Sequence, residues 1–117
     1  MGSELKLHVL SDLHLEFSNL SVPKTVADVV LLAGDIWIGE AGIGWARETF
    51  PDKEIIYLAG NHEFYGKQRS ETLGLLRTAS QDAGVHFLDN DEVIIDDVRF
   101  LGGSVRQGGV NFLRQVE

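Results

Sequence analysis

Two runs of this chain, Asp28 to Ala33 and Glu54 to Ala59, are almost wholly apolar over six residues each. A strand with one wet face alternates polar and apolar side chains, and these do not. Continuous apolar runs of this length suit strands covered on both faces, as in a parallel sheet. Parallel neighbours need a crossover between them, and helices supply it. The spacing predicts helices over Gly42 to Phe50, ended by Pro51, and over Lys67 to Ala83, ended by Gly84. In the second, Leu73, Leu76 and Ala83 form a stripe, with Leu75 and Ala79 beside it. Leu5 to Leu10 reads as an earlier strand, with a further helix expected before Asp28.

After Gly84 the pattern shortens. His86 to Leu88, Glu92 to Ile95 and Val98 to Gly102 read as strands, with Asp96-Asp97 as a two-residue turn. Ser104 to Glu117 is an uncertain tail, with a short amphipathic helix expected from Val110. At 117 residues the chain is one domain, and 44% hydrophobic residues are enough to build a core. The fold class is α/β, mostly parallel with a C-terminal β-meander.

Each of the first three strands ends on residues that carry chemistry. Asp12-Leu13-His14 follows the first, Gly34-Asp35 the second, and Gly60-Asn61-His62-Glu63 the third. Open α/β sheets bind ligands at the carboxyl ends of their strands, where such loops converge. Two carboxylates, one imidazole and one amide oxygen suit Mn, Fe, Mg or Zn rather than thiophilic ions. Asp35 can bridge two ions, and two ions can activate water and clamp a phosphoryl oxygen. His62 could hydrogen-bond a phosphate oxygen or protonate a leaving group. Glu63 could orient the His62 ring.

Taken in order, these motifs resemble the calcineurin-like metallophosphoesterase family, over residues 5 to 103. The resemblance implies that Asp12 and His14 bind a first metal, Asp35 bridges both, Asn61 binds the second, and His62 is the catalytic histidine at the phosphate. It implies a phosphodiester or phosphomonoester as substrate and one or two divalent ions, Mn2+ above all, as cofactor. The family more often has Asp where Glu63 stands. It also adds a further histidine and a Gly-His-x-His motif, yet His86 is the last of four histidines here. The chain therefore looks like the N-terminal half of a four-layer α/β/β/α sandwich, truncated or miniature. A half-sandwich is expected to leave a sheet face bare, and a homodimer or dimer of dimers would cover it. The alternative to an enzyme is a non-catalytic half-domain that folds and self-associates.

Other features bound the partners. A net charge of −8 and a pI near 4.8 disfavour broad nucleic-acid binding. No apolar run approaches the ~20 residues of a membrane span. With no cysteine and no signal-like start, the expected address is the cytoplasm. His8 and His86 read as strand residues, Trp37 and Trp45 as packing residues, and Arg106 as a solvated side chain. Asp89 to Asp97 reads as a hairpin face rather than a calcium loop, since it lacks the required glycine and glutamate spacing.

Overall fold

The two apolar runs lie side by side at the centre of a parallel sheet. A computed structural model describes residues 6–11, 13, 15, 26–37, 39–60, 62–64, 68–89, 91–96, 98–105 and 110–116, with backbone alone for 62, 103–105 and 110–116. The strands are β1 (Leu7–Leu10), β2 (Val29–Ala33), β3 (Glu54–Leu58) and β4 (His86–Phe87), in that spatial order and all parallel. Helix α1 (Ala41–Thr49) joins β2 to β3, and α2 (Arg69–Ala83) joins β3 to β4. The helix expected between β1 and β2 lies outside the described residues, since 16–25 are not among them.

Side chains alternate between two cores. Val30, Leu32, Ile55 and Tyr57 face Ile43 and Ala46 of α1 and Leu76 of α2. Val29, Leu31, Ile56 and Leu58 face the other way. Both sets are buried, which is why neither run could carry polar residues. Helix α2 ends in a Schellman motif: Gly84 has φ +69°, its N–H donates to Gln81, and the Val85 N–H donates to Ser80 at 2.8 Å. The buried positions of α2 are Thr72, Leu76 and Ser80. Leu75 is exposed instead of lying beside the core stripe, because α2 turns a narrower face inward than its apolar residues suggest.

The second core corrects the expectation of a bare sheet face. Strands β5 (Asp91–Ile95), β6 (Val98–Val105) and β7 (Val110–Val116) form an antiparallel sheet. Phe100 of β6 is fully buried, in one cluster with Val29, Leu31, Ile56, Leu58 and Leu88, and Val93, Ile95 and Val98 pack against that cluster. The chain's own second sheet thus covers β2 and β3, and the argument for a homodimer from an uncovered face falls with it. The layers run helices, parallel sheet, antiparallel sheet. On that side the edge strand β1 keeps Val9 open to solvent, 59% exposed.

The tail is a second correction. Val110–Val116 is a strand, not a helix, paired antiparallel with β6 from Val105↔Val110 to Arg99↔Val116. Strand β6 runs past Gly102 to Val105 and offers β7 a ladder of backbone partners. Those long-range bonds outweigh a weak local helical pattern. The side chains of Val110, Phe112, Leu113 and Val116, and residue Arg106, lie outside the described residues. No helix among the described residues is long and apolar enough to cross a membrane.

Arg47 fastens the helix layer at the end of the sheet where β3 and β4 begin, opposite the candidate site. Its Nε donates to the Ala83 carbonyl at 2.9 Å and its Nη2 to Gly84 at 2.9 Å. Its Nη1 donates to Phe50, Pro51 and Lys53 at 3.0 to 3.2 Å. One planar guanidinium therefore serves the carbonyls that both helices leave open at their C-termini.

Candidate functional site at the strand ends

Beyond β2 the backbone turns sharply at two successive residues with positive φ, Gly34 at +94° and Asp35 at +56°. Glycine adopts this region freely, whereas an aspartate there is uncommon and needs support. The Asp35 carboxylate lies against Gly60, the residue that follows the end of β3 by two positions. A Cβ at position 60 would collide with Asp35 Oδ1 and stand 2.7 Å from the Asp35 nitrogen. The turns after β2 and β3 are thus in direct contact, and only glycine fits between them.

The loop after β1 joins them. The Leu15 N–H donates to the Ile36 carbonyl at 2.8 Å, and Leu15 is buried in the helix-side core. Leu13 packs against the same core. Three loops from three adjacent strands therefore meet at one end of the sheet.

Glu63 occupies the centre of this end. It lies in a 3-10 turn, His62–Phe64, and is fully buried. Oε1 accepts the N–H groups of Asp35 at 2.9 Å and Gly60 at 2.6 Å. Oε2 accepts those of Ile36 at 2.8 Å and Trp37 at 3.3 Å, and the Tyr57 hydroxyl at 3.0 Å. The Glu63 carbonyl accepts the Gly39 N–H at 2.8 Å. Burial pushes the carboxyl above its ordinary value of 4.5, against the pull of the Gly60, Ile36, Tyr57 and Asp35 donors. Among the described residues, four backbone N–H groups and one hydroxyl bind its carboxylate.

Asp35 and Glu63 are the site residues whose side chains are described. Asp12, His14, Asn61 and the His62 side chain, all named from sequence, lie outside the described residues. Among the described residues no group of three or more His, Asp or Glu gathers in a way that could hold a metal ion. His86 lies elsewhere: its Nε2 and Glu54 Oε1 are 2.8 Å apart, at the opposite end of β3 from Gly60. His8 faces the helix layer, edge-on to the Phe50 ring at 6.2 Å. Trp37 and Trp45 pack against the core. Arg77 bonds Asp91 at 3.2 Å across the start of the hairpin, so Asp91 serves an ion pair.

The carboxylate cradle around Glu63 was not legible from sequence, because four of its five donors among the described residues are backbone groups. The signal in the sequence was a glutamate directly after Gly60-Asn61-His62. Neither a family model, nor a curated protein, nor a solved structure matches the chain.

Proposed function

We propose that this chain is a metal-dependent phosphoesterase, built as half of a four-layer sandwich, that hydrolyses small phosphodiesters or phosphomonoesters. The observation that carries the reading is the contact of Asp35 with Gly60, at the ends of adjacent parallel strands. It brings a carboxylate to the loop that bears Asn61 and His62. The bond from Leu15 to Ile36 ties in the loop that bears Asp12 and His14. Side chains of these types form an oxygen-rich set with one imidazole, which fits a divalent ion such as Mn2+.

In this reading Asp12 and His14 would hold a first ion, Asn61 a second, and Asp35 both. The ions supply Lewis acidity and a nucleophile at neutral pH. His62 hydrogen-bonds the phosphoryl group and gives a proton to the departing oxygen. Asp35 keeps its place because the turn that carries it is wedged against Gly60.

The test is Mn2+ binding together with hydrolysis of an activated aryl phosphodiester. Wild type should bind Mn2+ and turn over, and EDTA should stop turnover. Asp35→Asn should lose metal and activity together. His62→Ala should keep its metal and lose about 10²–10⁴-fold in turnover. Wild type that binds no divalent ion and hydrolyses nothing would leave a folded module without this chemistry.

A further inference from the structure

We infer that Glu63 is a positioning residue for Asp35, holding the metal-binding turn in shape through its backbone and touching neither substrate nor metal. The inference rests on the phosphoesterase reading. Asp35 sits in a backbone conformation that L side chains rarely adopt. What holds it there is visible: the N–H groups of Asp35, Ile36 and Trp37 are consecutive, and all three point at the Glu63 carboxylate. Successive N–H groups around a left-handed residue make a concave anion site. Here the anion is part of the chain.

Oε1 does more than fill that concavity. It also accepts the Gly60 N–H at 2.6 Å, so one oxygen spans the turns after β2 and β3. Those are the two turns whose contact sets the Asp35 carboxylate against Gly60. A carboxylate offers about four lone-pair directions, and five donors already use them. Full burial keeps Glu63 from substrate. Its effect must pass through Asp35 and Gly60.

The experiment compares wild type, Glu63→Ala and Glu63→Gln, reading Mn2+ affinity by electron paramagnetic resonance and fold by metal-free thermal melting. Glu63→Ala removes a group the size of acetate and leaves the donors facing a hole. Its Mn2+ affinity should fall about 10- to 100-fold, as when a group that orients a metal ligand is lost. Added acetate should restore part of that affinity, while acetamide and chloride at equal concentration should not. Glu63→Gln should also bind Mn2+ weakly, because its amide N–H2 meets N–H donors, and acetate should not help, since the hole is filled. Acetate should leave wild type unchanged. Folded variants that bind Mn2+ as tightly as wild type would overturn the inference. Equal rescue by acetamide would overturn it too, since filling space would then suffice. If both variants lose the fold, Glu63 is structural only and the inference fails. Wild type that binds no Mn2+ would sink the phosphoesterase reading itself.

Discussion

The hydroxyl of Tyr57 occupies the space that a Cβ at position 42 would need. Gly42 lies in α1 and Tyr57 in β3, so this contact sets how closely the helix approaches the sheet. The same hydroxyl donates to Glu63 Oε2 at 3.0 Å. Helix packing and the strand-end site therefore share one atom.

Gly42→Ala should destabilise the protein by about 1–3 kcal/mol, the usual cost of forcing extra volume into a packed core. Gly44→Ala, two residues on, meets nothing within 4 Å. It should stabilise by about 0.5–1 kcal/mol through helix propensity. Denaturant midpoints of the two variants, measured side by side, check both signs. Equal shifts would show that the Tyr57 contact does not limit packing.

Gly60→Ala should impair the site before it impairs the fold. The new methyl group would stand where the Asp35 carboxylate lies, so the turn after β2 must shift. We expect Mn2+ affinity to fall at least as far as in Asp35→Asn, by elemental analysis of the purified protein. Metal content equal to wild type would mean that Asp35 does not need this contact.

Arg47→Ala should cost about 1–3 kcal/mol, because the carbonyls it serves are partly buried and lose a charged donor. Arg47→Lys should recover only part of this, since a single ammonium cannot reach both helix ends at once. Urea unfolding curves decide it. Full recovery with lysine would show that charge alone matters.

The pH dependence of stability carries a definite sign. Burial raises the folded-state affinity of Glu63 for its proton above that of the unfolded chain, whose ordinary value is 4.5. Folding therefore takes up a proton between 4.5 and the raised value. The contribution is fully present below 4.5 and is lost as pH rises through the folded value. Wild type should lose ground to Glu63→Gln, which does not titrate, as pH climbs from 4.5 toward neutrality. A gap that widens in favour of wild type over that range would show that the five donors outweigh burial.

Local pattern was a good guide wherever local pattern decided the structure. Val29–Ala33 and Glu54–Leu58 are strands because the five apolar residues in a row of Val29 to Ala33, and again of Ile55 to Ala59, can be satisfied only between two layers. Gly84 stopped α2 where a left-handed residue was expected. The misses are all long-range. Val110–Val116 became a strand because β6 supplies its partner ladder, which its own residues do not reveal. The cover over β2 and β3 depends on Phe100, which lies 42 residues or more after the strands it shields. At the site, Gly34-Asp35 and Gly60 were legible as tight turns. That they touch, and that Glu63 binds both, follows from how β2 and β3 sit in register.

Arg47 and the carbonyl it serves at Ala83 are 36 residues apart. That bond closes only when α2 has docked with its last turn against the end of α1. The Arg47 Nε proton then reports whether α2 is seated. It is shielded from solvent exchange while α2 is seated and exposed whenever that helix lifts. Its exchange rate, against those of the β2 and β3 amides, separates local opening of one helix from unfolding of the whole chain.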